Sequence, residues 1–436
     1  MRNVVLFSLP FLLICFQLCS ATDTLKFGNN ISQDNSNNLV SLERIFRLGF
    51  FSLPIESGSN TKNLKKYLGI WYHGLEPQTV VWVANRNKPI VGSDGVFQIA
   101  HDGNLVVADA SQSYWSTKLE ASSSRKRVVR LLDSGNLVIM DDDHGYLWQS
   151  FQHPTDTFLP GMKMDINLTL RSWKNENDPG IGSFAFQKAQ TGGPRSYRVN
   201  NQSQLYWAFD GHNSDKMFNH ILDLLENSTS DSSHKYRNVT IKQRSLNYDK
   251  SRILMNSTGD IQFWRWEDNL QWENLWSRPS DKCDIHNHCG TFSSCNKNNW
   301  NPCKCLPGFD PRRLYLGEHF PGCVRKSSKQ CITTTTNDNM IFINLTKIKV
   351  ENPDQGFLSE TEADCQSLCL NMCPCNAYSY NATYSDRSYF SCWIWTRQLP
   401  TVQEEQDDGR DFSILVNSSD IGNLYLLNLY LIRIYI

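Results

Sequence analysis

Short apolar runs separated by polar turns dominate residues 24–150. Phe46–Phe51, Tyr67–Tyr72 and Val80–Val83 are such runs, and Gly, Asn and Asp residues lie between them. Brief runs rich in aromatic and β-branched side chains, bounded by turn-forming residues, predict β-strands. No segment of this region shows a convincing helical period. The pattern therefore predicts an all-β barrel, prism or sandwich.

A repeated unit recurs within this β pattern. Asp102–Val106 leads to Trp115, and Asp133–Val138 leads to Trp148. A third, weaker copy begins at Asn256, and the separations from the turn glycine to the Trp are 12, 13 and 13 residues. Recurrence is typical of a quasi-symmetric β fold, and the third copy predicts a second, related β domain after the first. The simpler alternative is that such turns recur in any β protein.

The first 21 residues have the pattern of a secretory signal peptide. Arg2 supplies a positive charge, Val4–Leu18 is largely apolar, and small residues favour cleavage after Ala21. The sequence therefore predicts a secreted, extracellular protein. Nine Asn-x-Ser/Thr sequons agree with export and predict a glycosylated surface; they are Asn30, Asn167, Asn201, Asn227, Asn238, Asn256, Asn344, Asn381 and Asn417.

The cysteines divide the mature chain into two parts. None lies between residues 22 and 282, and twelve lie between Cys283 and Cys392. An even, clustered set in an exported chain predicts a disulfide framework, whereas the cysteine-free part needs its own hydrophobic core. Spacing alone permits fifteen pairings in each set of six. The first set is Cys283, Cys289, Cys295, Cys303, Cys305 and Cys323, and the second is Cys331, Cys365, Cys369, Cys373, Cys375 and Cys392.

A helix is predicted within the second cysteine set. Ser359 and Glu362 fit a capping box that opens a helix through about Met372. The helical period then places on one face three cysteines, Cys365, Cys369 and Cys373.

Composition and motifs exclude several classes of function. The 43 basic and 44 acidic residues nearly balance, so we expect no nucleic-acid partner and no general attraction to membranes. The sequence has no glycine-rich phosphate loop, His-Arg-Asp loop, Asp-Phe-Gly, Gly-x-Ser-x-Gly or His-Glu-x-x-His motif. We therefore expect no enzymatic activity and no cofactor.

Two features could suggest metal sites. Cys283, His286, His288 and Cys289 lie close together, like zinc ligands. In an oxidising compartment these thiols pair with each other before they bind metal, so we expect no zinc. Asp141–Asp143 lies between two strand-like runs and is interpreted as a solvated hairpin turn.

A basic cluster and an apolar tail are the remaining features. Arg125–Arg127 with Arg130 could hold an acidic wall polysaccharide, but we favour a basic edge strand that resists sheet-to-sheet aggregation. Ile421–Ile436 is apolar but shorter than the roughly 20 residues that span a membrane. We expect no membrane span there; hydrophobic anchoring is the alternative to an unimportant, aggregation-prone end.

Several motifs together resemble one plant family. Val80–Arg86, the two Gly-Asn-Leu-Val units and Trp148–Thr157 resemble the bulb-type lectin domain of S-locus glycoproteins and of the related G-type lectin receptor-like kinases. Leu170–Trp173 and Asp178–Gly180 resemble the start of that family's second, S-locus domain. Leu205–Gly211 departs from the family's Gly-Pro-Trp-Asn type motif, so no ligand contacts are carried over from that region.

The resemblance implies a mainly β chain of tandem lectin-like domains, a small disulfide-rich EGF-like module and an α+β PAN/apple module. The implied order is signal peptide 1–21, bulb-type lectin domain 22–150, S-locus domain 151–278, EGF-like module 279–323, PAN/apple domain 331–416 and apolar tail 417–436. The implied disulfides are Cys283–Cys295, Cys289–Cys303, Cys305–Cys323, Cys365–Cys392, Cys369–Cys375 and Cys331–Cys373. One carboxylate beside a lysine just before Cys283 is too little acidity for calcium.

The resemblance also implies a candidate sugar site. Mannose-binding bulb lectins use Gln-x-Asp-x-Asn-x-Val-x-Tyr; here Asp102, Asn104 and Val106 match, but Ala100 and Ala108 replace the Gln and Tyr. Losing two hydrogen-bonding side chains at about 1 kcal/mol each weakens binding by roughly tenfold or more. We therefore expect mannose binding to be degraded.

By resemblance, the function is extracellular recognition without catalysis, in the family's namesake case recognition of pollen. The implied partner is an extracellular protein ligand, such as a small cysteine-rich protein, or a glycan. A homodimer, or a heterodimer with a receptor-like kinase, is also implied. The alternatives are a mannose or wall-glycan lectin, and the truncated ectodomain of a receptor-like serine/threonine kinase.

Overall fold

The structure is a computed structural model that describes most of the chain after residue 21. The described residues are 22–33, 37–54, 64–91, 94–120, 127–141, 145–190, 195–209, 216–227, 250–267, 271–312, 320–327, 340–351, 353–381, 391–407 and 409–421. Several sequence predictions lie outside these residues: the signal peptide, Arg125, Lys126, Asp142, Asp143, Asn238, Cys331 and the tail beyond Ile421. The described residues form two compact units, one reaching Gln204 and running again from Phe209 to Ser277, the other containing Leu205–Ala208 and the chain from Arg278.

Twelve strands form the predicted lectin-like region. They are β1 (Thr24–Lys26), β2 (Asn30–Ser32), β3 (Leu39–Val40), β4 (Phe46–Leu53), β5 (Lys65–Tyr72), β6 (Val80–Val83), β7 (Val96–Ile99), β8 (Leu105–Ala108), β9 (Ser113–Ser116), β10 (Val128–Leu131), β11 (Leu137–Asp141) and β12 (Gly145–Gln149).

These strands form three antiparallel sheets of four, in the orders β3-β4-β5-β6, β2-β7-β8-β9 and β1-β10-β11-β12. Each sheet begins with one of the three short N-terminal strands, so the first residues of the chain tie all three sheets together. The second and third sheets each contain one repeat, with the turn before β8 or β11 and the Trp on β9 or β12. Mainly β architecture is confirmed.

The repeat tryptophans meet at one place. Trp115 and Trp148 lie 5.7 Å apart between ring centroids, and Trp82 lies 5.7 Å and 6.1 Å from them. All three pairs are edge-to-face, an arrangement that adds about 0.5–1.5 kcal/mol per pair to the burial of the rings. The recurrence of Trp in the sequence therefore reflects one shared aromatic cluster.

The next strands include the third repeat. They are β13 (Thr157–Phe158), β14 (Thr169–Asn175), β15 (Asp178–Lys188), β16 (Tyr197–Asn201), β17 (Gln204–Phe209), β18 (Ser251–Met255), β19 (Ile261–Trp266) and β20 (Trp272–Arg278). One sheet has the order β13-β18-β19-β20, and β14, β15 and β16 pair antiparallel in another. The third repeat turn joins β18 to β19, and its Trp272 opens β20.

The first unit also contains a helix, α1 (Lys216–Asn227), that the sequence pattern does not predict. Three of its side chains are buried, Ile221, Leu222 and Leu225. Arg195 forms ion pairs with Asp223 and Glu226 on its outer side. The apolar stripe at i, i+1 and i+4 was present in the sequence but was too short to stand out beside the following polar stretch.

The two predicted lectin-like domains belong to one compact unit. Arg86, 8% exposed, donates through Nε to the carbonyl oxygen of Pro179 at 2.7 Å and through Nη2 to that of Ser172 at 2.8 Å. Tyr72 Oη donates to the Ser251 carbonyl at 3.1 Å, and Trp272 packs on the Tyr72 ring. Buried polar contacts therefore join the regions on either side of residue 150.

The second unit contains the two cysteine modules. Its elements are β21 (Ser293–Cys295), β22 (Cys303–Cys305), β23 (Phe309–Pro311), β24 (Cys323–Arg325), β25 (Met340–Ile348), β26 (Gln355–Phe357), α2 (Glu362–Asn371), β27 (Ala377–Tyr380), β28 (Cys392–Trp395), β29 (Val402–Gln403) and β30 (Arg410–Asn417). A five-stranded sheet has the order β25-β30-β27-β28-β26, and α2 packs against β27 and β28. A helix on a small sheet is the α+β arrangement predicted for the PAN/apple module.

The EGF-like and PAN-like modules share structure. Strand β21 pairs antiparallel with β22 and in parallel with β29, so one sheet spans both modules. Leu306 and Phe309 lie in the same buried cluster as Trp395 and Phe412. The two modules therefore share one buried cluster, and each also has a smaller cysteine-rich cluster of its own.

The predicted capping box of α2 is wrong. Thr361 is the N-cap, and Thr361 and Asp364 form the reciprocal box. Ser359 is held elsewhere: its N–H donates to Ser391 Oγ at 2.8 Å, and Ser391 Oγ donates back to the Ser359 carbonyl at 2.6 Å. The helix ends at Asn371, so Cys373 lies beyond it rather than on its face.

Candidate ligand-binding site

The structure brings Asp102 and Asn104 together in the turn between β7 and β8. Asp102 accepts hydrogen bonds from the Asn104 N–H and from Asn104 Nδ2, both at 3.0 Å. Gly103 between them has φ of 84°, a left-handed conformation that favours glycine. The residues that resemble a sugar site therefore also satisfy the needs of a tight turn.

Asn104 is 4% exposed, and its amide is fully used inside the protein. Its Oδ1 accepts from Thr117 Oγ1 at 2.9 Å and from the Leu119 N–H at 2.6 Å. Its Nδ2 donates to the Leu119 carbonyl at 3.2 Å as well as to Asp102. An amide has two donor hydrogens and two acceptor positions, so none is left for a sugar hydroxyl.

Asp102 remains exposed and can still accept hydrogen bonds. The backbone and side-chain hydrogen bonds from Asn104 hold the pKa of Asp102 below its usual value, against a small opposing effect of burial. Val106 is half-buried on β8, and the flanking Ala100 and Ala108 offer no polar side-chain group. The site can therefore offer one carboxylate to a hydroxylated ligand.

The second repeat uses its asparagine in the same way. Asn136, 5% exposed, accepts from Ser150 Oγ and from the Phe151 N–H, both at 3.2 Å, and donates to Gln149 Oε1 at 2.9 Å. In both repeats the Asn meets a hydroxyl 13 or 14 residues later and a backbone N–H 15 residues later. That spacing is the sequence signal that marks a structural asparagine.

The prediction of a basic edge strand is wrong for the described residues, Arg127 and Arg130. Arg127 is 6% exposed and donates through Nη1 to the Gly103 carbonyl at 3.0 Å. Arg130 forms an ion pair with Asp23 at 2.6 Å on β10, which is an inner strand of its sheet. A polysaccharide could therefore not reach Arg127 without breaking its contact, whereas the Arg130 side chain is partly exposed beside Asp23.

The family motifs form interior contacts. Trp82 Nε1 donates to the His153 carbonyl at 2.9 Å, and the His153 ring stacks on Trp148. Burial lowers the pKa of Arg86, and the charge of Asp156 acts in the opposite direction. Burial also disfavours the charged form of Asp156 and so raises its pKa, although the Arg86 charge opposes this shift. The side chains of these motifs therefore stabilise the fold and do not form a ligand-binding site.

Five disulfides lie within the described residues, and each is among the pairs that the family resemblance implied. They are Cys283–Cys295, Cys289–Cys303, Cys305–Cys323, Cys365–Cys392 and Cys369–Cys375. Cys373 is also disulfide-bonded. Its expected partner Cys331 lies outside the described residues.

Sulfur atoms of Cys289, Cys295 and Cys303 lie within 4.8 Å of one another, which is close enough for a metal site. All three are disulfide-bonded, so they lack the thiolates that zinc needs. His286 lies beside Glu351, with its Nδ1 paired to the carboxylate.

The sequons differ in accessibility. Asn30, Asn167, Asn344 and Asn381 are exposed, whereas Asn201, Asn256 and Asn417 are half-buried. Asn227 lies at the end of α1, without a described side chain. Asn256 Nδ2, the atom that a glycan would modify, donates to Asp260 Oδ2 at 3.0 Å inside the third repeat turn. No helix in the described part of the chain is long and apolar enough to cross a membrane.

Three family models match successive parts of the chain. They are the D-mannose binding lectin over residues 79–175, the S-locus glycoprotein domain over 195–313 and the PAN-like domain over 331–402. The second match extends into the predicted EGF-like module. These domain types are non-catalytic.

Similar proteins match nearly the whole chain. A G-type lectin S-receptor-like serine/threonine-protein kinase of Arabidopsis thaliana is 39% identical over 94% of this chain and 48% of its own length. The receptor-like serine/threonine-protein kinase SD1-8 of the same plant is 33% identical over 94% of this chain and 49% of its own. The chain thus spans about half the length of the curated relatives it matches.

A solved monomeric mannose-binding lectin from Gastrodia elata is 17% identical, with a TM-score of 0.20, over 30% of this chain and 96% of its own. The successive domain matches and the relatives along 94% of the chain carry the assignment. The chain belongs to the family of S-locus glycoproteins and G-type lectin S-receptor-like kinases, of which it represents the ectodomain-like part.

Proposed function

We propose that this chain is a secreted, non-catalytic recognition glycoprotein that binds an extracellular protein or glycan ligand. The disulfide-bonded second unit is the observation that carries the proposal. Disulfides persist in oxidising compartments, and the sequence opens with a signal-peptide pattern. The lectin, S-locus and PAN-like domain types supply the recognition role.

Export is tested by expressing the full chain with a C-terminal tag in plant cells. We expect the tagged protein in apoplastic fluid, without reactive thiols in its folded state and with a mobility that increases after enzymatic removal of N-glycans. Variants Asn344→Gln and Asn381→Gln serve as glycan-site controls, because both side chains are exposed. Retention inside the cell with free thiols would argue against the proposal.

A more specific part of the proposal concerns whether the first lectin-like domain binds mannose. Asn104 and Asn136 are consumed internally, so we propose that mannose binding at the repeat strands is weak and that recognition uses other surfaces. The double variant Ala100→Gln, Ala108→Tyr restores the two missing side chains of the mannose pattern. We expect it to gain retention on a mannose matrix over the wild-type chain, and Asp102→Ala in that background to lose the gain.

Strong, sugar-specific binding by the wild-type chain that Asp102→Ala abolishes would instead support the mannose-lectin alternative. Asp102 is suited to this test because it is exposed. Asn104→Ala is not, because it disturbs the turn itself.

A second candidate is the ectodomain of a receptor-like kinase, because the matched relatives are kinases about twice as long. A full-length transcript that continues into a membrane helix and a kinase domain would establish it. Dimerisation, alone or with such a kinase, is tested by light scattering and by co-purification of the coexpressed chains. Recognition of pollen is tested by binding of the purified chain to pollen-coat proteins, with heat-unfolded chain as control.

A further inference from the structure

Trp300 differs from the other tryptophans of the chain in its exposure to solvent. Of the thirteen tryptophans in the chain, twelve are buried or half-buried, whereas Trp300 has a relative exposure of 103%. Burying a Trp removes about 150–250 Å² from water, so leaving a complete indole in solvent forgoes a large favourable contribution to folding. Trp300 makes no such contribution to the fold.

Trp300 lies at the tip of the loop 296–302, which joins β21 to β22. The strands meet at the pair Cys295 and Cys303, and each of these cysteines forms a disulfide with a different residue. Cys295 is linked to Cys283 and Cys303 to Cys289. The two ends of the loop are therefore covalently fixed.

The loop itself is also held in one conformation. The Asn296 N–H donates to the Pro302 carbonyl at 2.9 Å, and the Asn299 N–H donates to the Asn296 carbonyl at 3.2 Å. Asn298 Nδ2 donates to Glu405 Oε2 at 2.7 Å, which ties the loop to the residues after β29. A ligand that binds a rigid loop does not have to order it, and this preorganisation increases affinity.

The neighbours of Trp300 indicate the class of ligand. Lys297, Asn299 and Asn301 are exposed and polar, and no other large apolar side chain of this loop is exposed. A tryptophan that anchors a protein partner normally lies within a wider apolar patch that excludes water. A single aromatic face beside amide groups suits a pyranose ring, which has an apolar carbon face and a rim of hydroxyl groups.

We infer that Trp300, with Asn299, Asn301 and Lys297, forms a carbohydrate-binding site of the aromatic-platform type on the β21–β22 loop. The indole packs against one sugar ring, the amides bond its hydroxyls, and the lysine favours chains that carry carboxylates. This site is separate from the repeat strands of the first lectin-like domain. The inference deepens the proposed recognition function and rests on it.

The test uses the full glycosylated chain and three probes, cellohexaose, mannohexaose and a hexameric oligogalacturonide. The difference in iodide quenching between wild type and Trp300→Phe isolates the fluorescence of this indole. We expect at least one probe to protect the indole from quenching. Isothermal titration should then show at least tenfold weaker binding in Trp300→Ala and partial retention in Trp300→Phe.

Tyr146→Ala is the matched control, because Tyr146 is an aromatic residue 45% exposed in the other unit. It should leave both signals unchanged, and thermal unfolding should be equal in all variants because Trp300 has no folding contacts. Binding that is unchanged in Trp300→Ala overturns this site and leaves the proposed recognition function intact. Absence of protection by all three probes at millimolar concentration also overturns it.

Discussion

Asn104 holds the turn before β8 through its side chain, so its replacement tests whether it is a structural residue or a sugar ligand. Replacing it by alanine removes four hydrogen bonds of its side chain, two to Oδ1 and two from Nδ2. At about 1 kcal/mol net for each, with some loss recovered by water at the half-buried partners, we expect a destabilisation of about 3 kcal/mol. For a unit of this size each kcal/mol lowers the melting temperature by about 2–4 °C.

The assay is differential scanning calorimetry of the full chain, in which the transition of the first unit should move down by about 6–12 °C. Asp102→Ala should move it far less, because water can replace the contacts of that exposed carboxylate. Asn299→Ala is a matched control, since this asparagine is exposed on a loop of the other unit. An unfolding temperature of Asn104→Ala equal to that of wild type would refute the structural role and return Asn104 to the candidate sugar residues.

Three further predictions follow from other contacts. Arg86→Lys should destabilise the first unit by about 2–3 kcal/mol in urea unfolding, because one ammonium group cannot reach all three carbonyls to which the guanidinium donates. A stability within about 0.5 kcal/mol of wild type would contradict this prediction. Burial raises the pKa of Asp354, but hydrogen bonds from Arg397 and Thr396, which follow β28, outweigh it and hold the pKa below its usual value. The stabilisation by this carboxylate is therefore complete above its unfolded pKa and is lost as pH falls through the lower folded pKa. It should be absent at every pH in Asp354→Asn. Removing the Cys365–Cys392 disulfide should destabilise the second unit by about 1 kcal/mol more than removing Cys369–Cys375, because it closes a loop of 27 rather than 6 residues. Equal losses of unfolding free energy in guanidinium for the two paired serine variants would show that loop entropy does not dominate.

The sequence predicts those strands and turns whose conformation depends on residues close by in the chain. Strand runs such as Tyr67–Tyr72 and the glycine turns of the repeats carry their own geometry, so they fold as their local pattern indicates. The capping box was placed two residues early because Ser359 is bound by Ser391, 32 residues away. A contact of that kind leaves no trace in the local pattern.

The candidate site was predicted less well for the same reason. Asp102 and Asn104 matched a sugar pattern in residue type, but the partners that use up the Asn104 amide come from Thr117 and Leu119. Arg127 suggested a solvated charge, and its partner is a carbonyl 24 residues earlier. Residue type shows what a side chain can bind, and only the fold shows what it has already bound.

This distinction bears on where ligand specificity lies. The motifs that carry the family resemblance, around Trp82, Arg86 and Trp148, are buried and bonded within the first unit, so they are constrained by packing and can be the same whatever the ligand. Side chains that contact a ligand must be free of such bonds, as Trp300 is on its fixed loop. A graft of loop 296–302 between related ectodomains should therefore transfer glycan preference without changing stability. If preference instead followed the buried motifs, specificity would have to act through the shape of the whole first unit.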